Sequence, residues 1–404
     1  MNWATTGAGR QTSRRRFLVV AWTAVYRVAI FFAIFLALDF FYSRMFHHQA
    51  EIARVIDPVF HHTFRPNFDG YELWGERQYR LFTNNLGFKD AAARTVSPKP
   101  ATRRVILIGD SFTEGLGTPF EESYAGMLAV AGQRRADQTE FLNAAIESYS
   151  PTLYYRRIKS LLDSGFAFDE VVVFPDLSNV NDEATSYFCF DDVPQYKSLC
   201  QAKSSQSETR SDNCGDHRDS NLWDDLERNF AVNDRVRTVG RYLQQNFAVS
   251  DSLRMLIKFK LQVWSGELKR GQLTPSWRIG WSVPNYDVGD TYAPLGVDGG
   301  IERTLVHMQA LADLLAQHHI ALTVAVYPWP LSLAQKDPGG RWVAMWRKFC
   351  VTNCKTFIDT FPDFVAARDA HPTDWYERYF VSGDAHFSAA GHRVVFEALT
   401  KAGL

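Results

Sequence analysis

Two short stretches of this chain bring together residue types that can do chemistry. One places a serine among glycines, Gly109-Asp110-Ser111-Phe112-Thr113-Glu114-Gly115, and the other sets a histidine two residues after an aspartate, Gly383-Asp384-Ala385-His386-Phe387-Ser388-Ala389-Ala390-Gly391-His392. A serine hydroxyl is a weak nucleophile until a neighbouring base takes its proton, and an imidazole acts best as that base when an acid orients it and stabilises its charged form. Serine, histidine and aspartate are the types from which such a relay is built. A second Asp-x-His, Asp369-Ala370-His371-Pro372, competes with the first. Some 275 positions separate Ser111 from His386, so only a tertiary fold can join them.

The elements around these stretches suit that task. Val105-Ile106-Leu107-Ile108 reads as a short buried strand leading directly into Gly109. Helical spacing follows from about Tyr124 to Ala131, then a strand at Glu140-Phe141-Leu142-Asn143, a helix from Leu153 to Leu162 and a strand at Glu170-Val171-Val172-Val173-Phe174. Glu302 to Ile320 carries Leu305, Met308, Ala312 and Leu315 on one helical face, Ala321 to Tyr327 reads as a fourth strand, and a last helix covers about Ala389 to Leu399. Strands alternating with helices predict a parallel sheet with helices on its faces, whose functional loops gather at the carboxyl ends of the strands. Tyr327-Pro328-Trp329-Pro330 is expected at that end too. The alternation breaks between about 183 and 300, an insertion whose first part is polar and turn-rich and whose second carries Arg235, Arg237, Arg241, Arg254, Lys258 and Lys260 among Trp223, Tyr242, Phe259 and Trp264. Those residues suit either one wall of a groove for a glycan or anionic substrate, or a helix pair with solvated faces.

Gly109-Asp110-Ser111-Phe112 after a buried strand, with Asp384-Ala385-His386 before the last helix, resembles the first and last sequence blocks of the SGNH (GDSL-like) hydrolase superfamily. The resemblance implies an α/β fold of three layers around a flavodoxin-like parallel sheet, with Ser111 as nucleophile, His386 as base and Asp384 as its partner. His371 lacks the glycine-centred turn and apolar helix that the family places after its histidine, and His61, His62 and His392 are expected to be structural or surface residues. Family members commonly place the aspartate three residues before the histidine; the interval of two here is that of relatives that acetylate or deacetylate polysaccharides. The family's oxyanion donors are the nucleophile's own N–H, a glycine N–H from a second block and an asparagine side chain from a third. Asn143-Ala144-Ala145-Ile146-Glu147-Ser148-Tyr149-Ser150-Pro151 resembles the second block with Ser148 at the glycine place, and Asp176-Leu177-Ser178-Asn179-Val180-Asn181-Asp182 stands where the third would be. The resemblance therefore implies an oxyanion hole from Ser111, Ser148 and either Ser178 or Asn179. It further implies an esterase or O-acyltransferase of short acyl groups; a catalytically inert binding subunit of an envelope polysaccharide machine is the other reading, because the second and third blocks depart from the family pattern.

The rest of the chain bounds where such chemistry takes place. Its 404 residues, 46% hydrophobic and 22% charged, suffice for one catalytic domain with attachments. With a net charge of -1, nothing global argues for a nucleic-acid partner, and none is expected. Arg10, Arg14, Arg15 and Arg16 precede an apolar stretch from Phe17 to Tyr42 interrupted only by Arg27 and Asp39, which predicts a single membrane-spanning anchor with its N-terminus in the cytoplasm. A twin-arginine export signal at Ser13-Arg14-Arg15-Arg16-Phe17-Leu18 and a cleavable secretory signal are the alternatives. The expected organisation is then residues 1–44 as cytoplasmic terminus and anchor, 45–101 as an extended lead-in with a strand-like patch from Gln78 to Thr83, and 102–404 as a periplasmic or extracytoplasmic catalytic domain, which suits an O-acetylated glycan as substrate. An oxidising compartment lets Cys350 and Cys354 pair. No cofactor is expected, and a zinc site lacks the CxxC or spaced histidine pair it would need.

Overall fold

In the computed structural model the described residues are 8–45, 53–74, 77–190, 277–335, 338–381 and 383–404. Their strands are β1 (Arg54–Asp57), β2 (His61–Phe64), β3 (Asp69–Trp74), β4 (Arg77–Thr83), β5 (Lys89–Asp90), β6 (Arg104–Gly109), β7 (Glu140–Asn143), β8 (Glu170–Phe174), β9 (Ala321–Val326) and β10 (Thr356–Asp359). Every residue of β6 and β8 is buried. That is why these strands read as unbroken apolar runs: helices cover both faces of a parallel sheet.

Strands β3 to β10 form one sheet in the order β10-β9-β8-β6-β7-β5-β4-β3. The five strands from β10 to β7 are mutually parallel. Numbered among themselves along the chain, they run 2-1-3-4-5, the flavodoxin-like order, with the topological switch between β6 and β8. From β6 the chain steps first to β7 on one side and then to β8 on the other. Right-handed crossovers therefore send successive helices to opposite faces. Accordingly the helices Tyr124–Arg134 and Ala389–Lys401 pack on each other, while Pro151–Asp163, Asn179–Thr185 and Gly296–Gln317 form a separate group. The architecture is the three-layer α/β fold with a mostly parallel sheet that the sequence predicted.

Two parts add to the sequence reading. The lead-in joins the main sheet: β5 pairs antiparallel with β7 through Lys89 and Asn143, and β4 and β3 continue the same sheet outward. A two-residue strand made of a lysine and an aspartate carries no apolar alternation, so local pattern could not reveal it. The insertion expected at about 183–300 is flanked among the described residues by the helices Asn179–Thr185 and Gly296–Gln317. Its basic and aromatic residues from Trp223 to Trp264 lie outside the described residues.

By internal contacts the chain divides into two units, and the one spanning 52–217 and 261–404 contains the sheet. The described part of the other is the N-terminal helix Ala8–Met45. Its segment Val19–Tyr42, with a mean hydropathy of 2.1, is long and apolar enough to cross a membrane. In the main unit Cys350 and Cys354 are joined by a disulfide that closes the end of the helix Gly340–Asn353, and Cys189 is also oxidised.

Candidate active site

The Ser111 loop is set by a helix cap. Strand β6 ends at Gly109, and Asp110 then caps the four-residue helix Ser111–Glu114 by accepting the Phe112 N–H at 3.0 Å. Ser111 thus occupies the first helical position, where a backbone N–H has no acceptor within the helix. Asp110 also accepts the Tyr327 hydroxyl at 3.0 Å, which ties the loop to the end of β9. Burial, reinforced by the nearby Asp176 carboxylate, pushes the Asp110 pKa well above the usual carboxylate range.

The histidine loop is folded back on itself. Val381 N–H donates to His386 O at 2.8 Å and Ser388 N–H to Tyr379 O at 3.0 Å, after which Ser388 caps the final helix at Gly391. Gly391 is needed there because a side chain would run into the Tyr379 carbonyl. Phe387 anchors the loop in a buried aromatic cluster, with ring centres 5.0 Å from Phe112 and 5.1 Å from Phe364.

These two loops meet. His386 Nε2 lies 2.8 Å from Ser111 Oγ, and His386 Nδ1 lies 2.8 Å from Asp384 Oδ1. Burial alone would raise the pKa of the Asp384 carboxyl, but the His386 imidazole, its hydrogen bond and the Trp74 indole outweigh it and hold the value down to about 2. Burial would likewise lower the pKa of His386; Asp384, with a contribution from Glu147, overcomes that and leaves it above the ordinary histidine value. The pair is thus arranged as a charged carboxylate beside an imidazole that readily takes a proton.

The second-block loop is built around an unusual backbone. Ser148 has φ 61°, in the left-handed region that favours glycine, consistent with the glycine place it holds in the resemblance. Glu147, just before it, donates its N–H to Glu114 Oε2 at 2.6 Å, and its carbonyl meets His62 Nε2 at 2.6 Å. Arg54 from β1 pairs with Glu114 at 2.5 Å, with Glu147 at 3.5 Å and with Glu72. On its far side, Ser148 O accepts the Tyr187 hydroxyl at 2.8 Å.

In the third loop the two candidate donors separate. The Asn179 amide is committed to the loop itself: Nδ2 donates to Tyr149 O at 3.1 Å, while Oδ1 accepts Asp176 N–H at 2.9 Å and the Tyr154 hydroxyl at 3.0 Å. Ser178 Oγ has only a 3.5 Å approach to Asp182, whose carboxylate is engaged by Arg278. Of the pair, Ser178 is the one with a side chain left to offer.

The other histidines singled out in the sequence lie elsewhere. His371 ends the helix Phe361–Ala370, its ring 6.1 Å from that of Tyr379 and without contact to Ser111. His392 is buried against Tyr124 and Phe387, and burial depresses its pKa to about 3. Burial also takes His62 down to about 4, so it supports the Glu147 carbonyl as a neutral ring. Tyr327 is wholly buried beneath the Ser111 loop, a support and not a lining residue.

Sequence reasoning missed Trp74, Arg54, Glu114 and Glu147, and it expected His62 as a structural or surface residue without naming its partner. Glu114 left one signal: a carboxylate three residues after a buried serine must find a partner. The other three left none, because they act across chain separations that no local pattern spans.

The fold is a three-layer α/β arrangement on a flavodoxin-like, mostly parallel sheet, and Ser111, His386 and Asp384 lie together at the carboxyl edge of its strands. No protein-family model and no curated protein sequence matches the chain. Among solved structures, its neighbours over about three-quarters of its length are esterases of the GDSL/SGNH kind and acetylxylan esterases. The acetyl xylan esterase AlAXEase is 14% identical with a TM-score of 0.40, covering 74% of this chain and 100% of its own. A catalytic mutant of Axe2, an acetylxylan esterase from Geobacillus stearothermophilus, is 11% identical with a TM-score of 0.37, covering 76% and 95%. The esterase EstA from Pseudoalteromonas sp. is 8% identical with a TM-score of 0.35, covering 74% and 95%. At that distance the likeness carries no argument about activity, which rests on the chain's own side chains.

Proposed function

We propose that the chain is a serine esterase or O-acyltransferase of short acyl esters, anchored by its N-terminal helix, that acts on an envelope or extracellular glycan. The observation that carries the chemistry is the unbroken relay Ser111–His386–Asp384, with both contacts at 2.8 Å. As Ser111 Oγ attacks the ester carbonyl carbon, its proton passes to His386 Nε2, and Asp384 stabilises the imidazolium so formed. The oxygen of the tetrahedral intermediate takes the N–H groups of Ser111 and Ser148 and the hydroxyl of Ser178. Collapse expels the alcohol, which recovers the proton from Nε2. Water or a sugar hydroxyl then gives its proton to the same nitrogen and attacks the acyl-serine; collapse breaks the bond from Ser111 Oγ to the acyl carbon, Oγ recovers the proton from Nε2, and the acyl group leaves on the acceptor oxygen. The apolar helix Val19–Tyr42 supports membrane anchoring, and the arginines before it support an extracytoplasmic site where glycan esters are met.

Purified full-length chain in detergent is expected to be labelled by a fluorophosphonate at Ser111 and to hydrolyse an activated acetyl ester. A chain that is neither labelled nor active has no activated serine, and the inert binding-subunit reading then takes its place.

A further inference from the structure

Asp384 is gripped at both of its oxygens. Oδ1 faces His386 Nδ1 at 2.8 Å and accepts the Ala385 N–H at 2.5 Å, while Oδ2 accepts the indole Nε1–H of Trp74 at 2.5 Å. Trp74 comes from the end of β3, 310 positions earlier in the chain. Its ring stands edge-on to the His386 imidazole at 5.5 Å and 87°. The opposite contact is a glycine: at Gly117, with φ 76°, an added Cβ would lie 3.1 Å from Trp74 Cδ1. The indole is therefore seated between the catalytic histidine and the turn that follows the nucleophile helix.

A carboxylate two residues before its histidine sits on the same short loop, where the imidazole and the Ala385 N–H both engage Oδ1 and leave the far oxygen to be held from elsewhere. The Trp74 donor on Oδ2 anchors that second oxygen and fixes which of the two faces Nδ1. We propose that Trp74 is a positioning residue of the triad, holding Asp384 in the orientation that keeps His386 aimed at Ser111. The proposal rests on the acyl-transfer reading of this site. Through it the N-terminal strands become part of the active centre: if β3 leaves the sheet, Asp384 loses its second anchor.

The charged and titratable groups that face His386 are Asp384 on its own loop, Glu147 after β7, Asp176 after β8 and His392 on the final helix. Replacing Trp74 by phenylalanine keeps a ring on Gly117 and changes no charge, so the N–H is what is removed. In full-length Trp74→Phe, kcat on an activated acetyl ester is expected to fall about tenfold with KM nearly unchanged, since a misaimed base loses near-attack geometry. The His386 titration, read by NMR, is expected to move to lower pH, because a loosely held carboxylate stabilises the imidazolium less. In an Asp384→Asn background the same substitution should cost little more, since groups acting through one another do not add.

An unchanged kcat and His386 titration overturns the proposal, and so does an equal loss in both backgrounds, the mark of a merely structural role. If the wild type proves inert toward esters, the acyl-transfer reading fails on its own while the His386 titration still decides the role of Trp74. If Trp74→Phe does not fold, the indole proton of Trp74 is followed in Asp384→Asn; a resonance that does not move from its wild-type position overturns the proposal.

Discussion

Two regions meet at the triad, and they carry different kinds of information. The loops after β6 and before the final helix hold the reacting groups in short motifs, each fixed by local devices: the Asp110 cap, the Ser388 cap and the buried ring of Phe387. The strands from Arg54 to Asp90 hold no reacting group, yet they supply Trp74 to Asp384, Arg54 to Glu114 and Glu147, and His62 to the Glu147 carbonyl. Lys89 on β5 adds to this, its buried amine donating to the carbonyls of Gly115 and Thr118 at 2.8 Å each. Burial lowers the Lys89 pKa to about 7, with Glu114 opposing the fall. On the proposed function, the first region does the chemistry and the second holds it still.

If that division is right, substitutions in the two regions fail differently. The largest effect belongs to Ser111→Ala and His386→Ala, each expected to lower kcat by about 10^5 or more, with the double variant no worse than either. A Ser111→Ala protein that retains turnover would end the enzyme assignment. Asp384→Asn is expected to cost about 10^3–10^4 in kcat. Because Asp384 holds the His386 pKa up, and the base works only when unprotonated, wild-type kcat/KM should rise with pH through a midpoint above the ordinary 6.5. Asp384→Asn should move that midpoint down, and a midpoint that stays put would show that the carboxylate does not govern the base.

Arg54→Met tests the supporting region. It leaves Glu114 buried without its cation and is expected to lower unfolding free energy by about 2–4 kcal/mol, read from urea midpoints, with a second loss in kcat as the Glu147–Ser148 turn loosens. A variant as stable as wild type would mean that this ion pair does not hold the loop. Ser178→Ala should reduce kcat by about 10-fold to 100-fold with KM little changed, the cost of one oxyanion donor on a flexible hydroxyl. Full activity in Ser178→Ala would return the third donor to the backbone. The smallest effect is that of His371→Ala, expected to match the wild-type rate; a large loss there would reverse the choice between the two Asp-x-His motifs.

By itself the sequence determined what is local. Runs such as Val105–Ile108 and Glu170–Phe174 specify buried strands because apolar burial is a property of the residues themselves, and their alternation with helices dictated a parallel sheet with its loops at one edge. The serine and histidine motifs, lying directly after a strand and directly before a helix, were legible for the same reason. What the tertiary structure decided depends on pairs far apart in the chain. It added three antiparallel strands beyond β7, turned Asn179 inward to bind its own loop while leaving Ser178 Oγ only a 3.5 Å approach to Asp182, and brought Trp74 onto Asp384. A hydrogen bond between positions 310 apart has no periodicity and no motif; it exists only once the sheet has placed both residues at the same end.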